Sequence, residues 1–188
     1  MNLDVKFSNR NEKKINYFLD KIHLSYGEEI LDVGTGDGIL IPFIMEKCGD
    51  CKIDTVDISD VMLEFAKSKY GNLPQVVFKK INVENNKITK KYNKIILYSV
   101  FQYIQRKVET IYNLVNENLK IDGKLIIAYP NSRKYLNNLH NSKRKYLNED
   151  RLIDVNLQKN LFKLAGLDVV EAFENDDMYY LIIKRVQS

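Results

Sequence analysis

Apolar and polar positions along this chain alternate between two rhythms, one helical and one extended. Ile15, Phe18, Leu19 and Ile22 recur at i, i+3, i+4 and i+7, the apolar stripe of one helix. Asn9 and Glu12 ahead of them form a capping pair, and residues 1–8 read as lightly attached. A short apolar strand, Glu29 to Val33, follows Ser25-Tyr26-Gly27, and Ile39 to Lys47 reads as a second helix with Pro42 near its first turn. Lys52 to Val56 is a second strand. Ser59 then caps a helix that turns Met62, Phe65 and Ala66 inward and breaks at Gly71-Asn72-Leu73-Pro74.

Gln75 to Lys80 is a third strand, followed by a polar loop to Tyr92, and Lys94 to Tyr98 is a fourth, apolar through its centre as a buried parallel strand is. Val108, Ile111, Val115 and Leu119 mark a helix stopped by Asp122-Gly123, and Lys124 to Ala128 is the fifth strand. A helix through Leu157, Leu161 and Leu164 ends at Gly166. The last two strands, about 168–173 and 178–185, are joined by Glu174-Asn175-Asp176-Asp177, a link short enough to permit only an antiparallel hairpin. Strand and helix thus alternate five times before a final helix and hairpin. That order predicts an α/β fold with a mostly parallel sheet and helices on both faces.

The 188 residues suit one domain, and 45% hydrophobic content suffices for a two-sided core. The net charge of +4 is concentrated. Residues 131–151 hold Arg133, Lys134, Lys143, Arg144, Lys145 and Arg151 against Glu149 and Asp150, while the remainder of the chain is balanced. The wealth of Lys, Asn, Ile and Tyr follows AT-rich codons, so this local charge also has a compositional explanation. Cys48 and Cys51 form a C-x-x-C with no second pair or histidine set beside it, which reads as two reduced thiols rather than a redox or metal pair. Met1 to Arg10 is polar and no apolar run approaches membrane-spanning length, so a cytoplasmic location is expected.

The stretch with chemistry is Asp32-Val33-Gly34-Thr35-Gly36-Asp37-Gly38, a strand running into a glycine loop and then a helix. Alternating glycines allow positive φ and close approach of a ligand, and a helix start beyond them favours anionic or polar groups. Asp57 ends the next strand. An acidic residue about 20 positions past such a loop is placed to hold a ribose diol. The spacing is G-x-G-x-G and lacks the third spacing of a dinucleotide fingerprint, which makes a nicotinamide-cofactor enzyme a distant alternative.

At these residues the chain resembles the class I S-adenosylmethionine (SAM)-dependent methyltransferases, whose first motif is an acidic residue followed by G-x-G-x-G. The antiparallel last strand belongs to the same resemblance, which covers roughly 25–185. It implies a Rossmann-like, doubly wound, seven-stranded sheet, mostly parallel with an antiparallel C-terminal hairpin strand. It also implies one methyltransferase domain over 1–188, with 1–24 as an N-terminal helix and 131–151 as a substrate-side insertion. By resemblance, Asp32 and the loop Gly34, Thr35, Gly36 and Gly38 hold the methionine part of SAM. Asp57 takes the ribose hydroxyls and Ile58 lies beside the adenine. Asn82 stands where the family commonly has an aspartate facing the adenine amino group, and its amide carbonyl can still accept that bond. Val83 supplies a backbone N–H, and Tyr98 and Ser99 lie nearest the transferring methyl.

A general base is not evident. His140, within the insertion, reads either as a base or substrate contact or as a surface residue. Tyr103 and Gln102 read as site residues or as packing and capping. His23 ends the first helix and suits a cap better than catalysis, and Asp176 and Asp177 suit a turn better than a metal site. No metal-ligand spacing occurs, and the Asn/Asp-Pro-Pro-aromatic signature of amino-group methylation is absent, since Leu97-Tyr98-Ser99-Val100 stands at that place.

The sequence is therefore expected to encode a SAM-dependent methyltransferase of a small anionic or sugar-like metabolite, with oxygen the favoured acceptor. Its rivals are an RNA methyltransferase gripping phosphates through 131–151, and a SAM-binding subunit without catalysis. Oligomeric state is not legible.

Overall fold

Runs of branched aliphatic residues set the strands of one seven-stranded sheet. The computed structural model describes the backbone of residues 3–142 and 151–185 and the side chains of 11–139 and 151–185. The strands are β1 (Glu29–Val33), β2 (Lys52–Asp57), β3 (Val76–Lys80), β4 (Tyr92–Tyr98), β5 (Leu119–Tyr129), β6 (Asp168–Glu174) and β7 (Tyr179–Lys184). They lie in the order β3-β2-β1-β4-β5-β7-β6. Five run parallel, and β7 inserts antiparallel between β5 and β6, pairing Ile126 with Ile182 and Tyr129 with Tyr179. The hairpin turn closes as the Asn175 carboxamide oxygen accepts from the amides of Asp177 and Met178.

The two-residue period of a strand sends neighbours to opposite faces, and the protein has a core on each. One gathers Ile30, Ile53, Ile96, Ile126 and Ile182 against α1 (Leu3–Ile22) and α2 (Ile41–Cys48). The other gathers Leu31, Ile95, Leu97, Leu125 and Ile127 against Ile111 of α4 (Lys107–Asn113) and Phe162 of α6 (Val155–Leu164). The α1 stripe behaves as its spacing predicts. Ile15, Phe18, Leu19 and Ile22 are all buried, worth roughly 1.5–3 kcal/mol each. Lys14 beside them is buried too. Its ammonium donates to the Pro130 carbonyl at 2.5 Å and to the carbonyl and carboxylate of Asp177 at 2.8 Å each, tying α1 to the end of β5 and the hairpin turn.

Several elements depart from expectation. The first helix begins at Leu3, so the stretch read as lightly attached is helical from that residue. The second begins at Ile41 rather than Ile39, because Gly36 to Leu40 are spent on turns. In α3 (Asp60–Tyr70) the buried side chains are Leu63 and Ala66, whereas Met62 and Phe65 face outward. The third repeat has no helix, only residues 81–91, so β and α alternate fewer than five times. Beneath that link Asp54 accepts from Lys79, Lys90 and the Tyr92 hydroxyl. Burial alone would raise its pKa, yet these partners hold the carboxyl below its ordinary value.

The helix expected to reach Leu119 ends at Asn113, passes through a π-helical turn at Leu114–Asn118, and gives way to β5. Asn118 fixes the change by donating to the carbonyls of Ile88 and Lys90. In α6 the buried face is Val155, Gln158 and Phe162, and Leu157, Leu161 and Leu164 are exposed. The insertion contains α5 (Arg133–Ser142), and its cations Lys143, Arg144 and Lys145 lie outside the described residues. No helix among the described residues is long and apolar enough to cross a membrane.

Candidate cofactor and active site

Strands β1, β2, β3 and β4 are parallel neighbours, so the segments leaving their carboxyl ends gather at one edge of the sheet. There a crevice of about 610 Å³ opens, within the range of small-ligand sites. Gly34, Asp57, Ile58, Asn82, Val83, Ser99 and Tyr103, all singled out from sequence, line it. So do Ser59, Met62, Ile81, Glu84, Val100 and Ile104, which sequence reasoning missed. Proximity in the chain to Ile58, Asn82 and Tyr103 is the one signal that pointed to them.

The glycine loop is stitched to the end of β2. The amides of Gly34 and Thr35 donate to the Val56 carbonyl, and that of Gly36 to Asp57 Oδ2 at 3.0 Å. Asp57 Oδ1 accepts from the Ser59 amide, so its carboxylate is oriented from both sides. All three glycines have positive φ, but they serve different ends. A Cβ on Gly34 would sit 2.4 Å from Val100 Cγ2, and one on Gly38 would sit 2.9 Å from the Tyr70 ring. Around Gly36 there is nothing within 4 Å. Close packing explains two of these glycines, and the third presents bare backbone to open space.

Asp32 and Thr35 lie behind the loop rather than on the crevice wall. Asp32 is buried and accepts from Thr35 Oγ1 at 2.7 Å. Burial pushes its carboxyl up to about 6, against the Thr35 hydrogen bond and with help from the charge of Asp57. Two carboxylates at one loop, one of them poorly solvated, favour a cationic ligand group.

Across the crevice, Asn82 Oδ1 accepts from the Glu84 amide, which uses one of its two lone pairs. The Val83 N–H bonds to no described residue. Glu84 Oε1 accepts from the amides of Gln105 and Arg106, and the Arg106 guanidinium returns bonds to the Glu84 carbonyl and to Asn85. These contacts clamp the loop after β3 to the segment after β4. Ser99 follows β4 with φ 59, a left-handed conformation that a non-glycine residue adopts at a cost. Tyr103 is half exposed at the mouth. Gln102 is buried instead, its backbone N–H donating to the Tyr129 hydroxyl.

Other expectations resolve differently. Tyr98 is not on the wall. Strand parity turns it to the α1 face, where its ring meets Phe18 edge to face at 6.2 Å. His140 lies in α5, and its side chain is outside the described residues. His23 sits exposed just past α1 with φ 53. Arg133 spends its charge internally, forking onto Glu174 at 2.9 Å through both Nε and Nη2. Cys48 and Cys51 are buried free thiols, and burial with the Cys48 neighbour pushes the Cys51 thiol up to about 12, out of reach of thiolate chemistry. Among the described residues no group of three or more His, Cys, Asp or Glu could hold a metal.

Comparison with known proteins agrees with this geometry. A methyltransferase-domain family model matches residues 24–183. A malonyl-[acyl-carrier protein] O-methyltransferase of Ilyobacter polytropus is 31% identical, over 85% of this chain and 63% of its own length. An enzyme of the same name from Acetivibrio thermocellus is 31% identical, over 62% of this chain and 41% of its own. The chain thus spans about two fifths to three fifths of these curated relatives. The crystal structure of a SAM-dependent methyltransferase from Aquifex aeolicus superposes with TM-score 0.72 at 18% identity, covering 95% of this chain and 98% of that one.

Proposed function

The chain belongs to the class I SAM-dependent methyltransferase family, and on that premise we propose that it methylates a carboxylate oxygen of a small acyl acceptor. The observation that carries the reading is the crevice, where a doubly oriented Asp57, held from one side by the Gly36 amide, and the Asn82–Val83 edge meet at one end of the sheet. These residues fit SAM. Asp57 would take the ribose hydroxyls, and Val83 and the second lone pair of Asn82 the adenine edge, while Asp32, buried behind the loop, would act on the cationic amino-acid end through its charge rather than by contact. When bound, SAM supplies an activated methyl group that departs from a cationic sulfur.

What remains for the chain is positioning, because alignment at near-contact distance supplies most of the rate for such a transfer. The two carboxylates of the wall, Asp57 and Glu84, are engaged by backbone amides. A carboxylate acceptor arrives ionised at neutral pH and needs no proton removed, whereas an alcohol needs a base. This agrees with the named activity of the Ilyobacter and Acetivibrio relatives and with an anionic acceptor. In this reading Ser99 and Tyr103 face the acceptor at the mouth, and 1–188 acts as one domain with 131–151 on the acceptor side.

The test is transfer of labelled methyl from SAM to a panel comprising a malonyl thioester, the matching acetyl thioester, an amine and a sugar. A methyl ester on the malonyl compound alone is the expected result. Methylation of the amine or sugar without the carboxylate would overturn the reading.

A further inference from the structure

Beside the cofactor crevice lies a second one of about 680 Å³, walled by α4, α5 and α6. The two flank the same stretch of chain. Ile104 lines the first and Lys107 the second, and the Lys107 ammonium donates to the Ile104 carbonyl at 2.7 Å.

The second crevice has two features that its own packing leaves unexplained. Gln158 occupies a central place on the buried stripe of α6, between Val155 and Phe162, where an apolar residue would pack without cost. It is only 3% exposed and its Nε2 has no hydrogen-bond partner. A buried donor left unpaired destabilises the fold, because its desolvation is not offset by a partner. Leu157 and Leu161 on the same helix line the crevice while remaining 52% and 39% exposed. The lining carries Lys107, Arg133 and Arg151 beside Asp154, with Arg133 forked onto Glu174.

We propose that this crevice binds the non-reacting arm of the methyl acceptor, a flexible aliphatic chain interrupted by amide or thioester carbonyls and bearing negative charge. A carbonyl oxygen would satisfy Gln158 Nε2, methylene groups would cover Leu157 and Leu161, and the anionic part would lie toward Arg151. The proposal rests on the carboxylate-methylation reading for the identity of the reacting end, but not for the existence of the arm site. The acceptor is then elongated, lying along both crevices across the Phe101–Lys107 segment.

The experiment compares two malonyl thioesters, one on a long arm with two amides and a terminal phosphate, the other on a short arm without amides. The ratio of kcat/KM, long over short, is measured for wild type, Gln158→Leu and Gln158→Met. Binding of the long arm as its free thiol, which has no carboxylate to methylate, is measured alongside by calorimetry. The expected result is a fall of about tenfold in the ratio for both variants, with the free arm binding correspondingly weaker. SAM affinity should stay within about twofold, and the midpoint of thermal unfolding should stay level or rise, since an unpaired buried donor has been removed. An unchanged ratio and unchanged arm binding in folded variants would overturn the proposal, as would failure of the wild type to bind the arm. If no carboxylate is methylated but the free arm still binds through Gln158, the acceptor chemistry fails and the arm site stands.

Discussion

Asp32 carries the most perturbed carboxyl near the strand-end crevice, and its burial makes stability depend on pH. Burial raises it to about 6 from an ordinary 3.8. Between about pH 4 and 6 the native state therefore holds a proton that the unfolded chain has lost. Stability falls as pH rises through that window and levels off above it. The full effect is worth at most roughly 3 kcal/mol. Urea denaturation of wild type and Asp32→Asn from pH 4 to 7.5 isolates this group, because every other titration is shared. Wild type should lose up to that amount relative to the variant, most of it before pH 6.5. Parallel curves would show that Asp32 is better solvated than its burial implies.

At the scale of elements, the loop between β1 and α2 separates two uses of glycine that look alike in sequence. An L-residue in the left-handed region costs about 1–2 kcal/mol wherever it stands. Gly36→Ala should lose about that much stability, yet lose most affinity for S-adenosylhomocysteine by filling the space above the loop. Gly34→Ala meets the same penalty and also forces Val100 aside, so roughly 3 kcal/mol is expected, with part recovered in the Gly34→Ala, Val100→Ala double variant. Denaturation midpoints and calorimetry on the three proteins decide it. Equal stability loss at both sites would contradict the account.

These elements also show what was legible beforehand. The β1 strand, the glycine loop and Asp57 are local signals in a short stretch, and they stand where they were expected. The outward turn of Met62 and Phe65 was hidden because α3 carries apolar residues on two faces, and only contact with the sheet selects Leu63 and Ala66. In α6, too, contact with the sheet selects Val155, Gln158 and Phe162 and leaves Leu157, Leu161 and Leu164 exposed. The early end of α4 depends on Asn118 reaching Ile88 and Lys90 some 30 and 28 residues away, and no local pattern encodes that. Tyr98 was placed at the methyl by its position in the chain, but strand parity assigns it to the other face.

For the whole molecule, function follows from strand order. Four neighbouring parallel strands release their chains at one edge, and β7 closes the sheet antiparallel, with the Lys14 ammonium locking α1 against the β5 end and the hairpin turn. The Glu84–Arg106 clamp then joins the segments after β3 and β4, which carry much of the crevice wall. A wall assembled from four separate stretches can be rigid only if such ties hold. These ties hold the crevice walls together.

That this crevice holds SAM through Asp57 is the proposal on which the others depend. Its most direct test is the thermal shift of wild type and Asp57→Ala with S-adenosylhomocysteine, with NAD as control. A ligand at about 100 times its dissociation constant adds roughly 2.7 kcal/mol. For a chain of this size that is on the order of 5–10 °C. Wild type should show that rise with S-adenosylhomocysteine and none with NAD, and a folded Asp57→Ala variant should lose it. An undiminished shift in the variant would place the cofactor elsewhere and contradict the account.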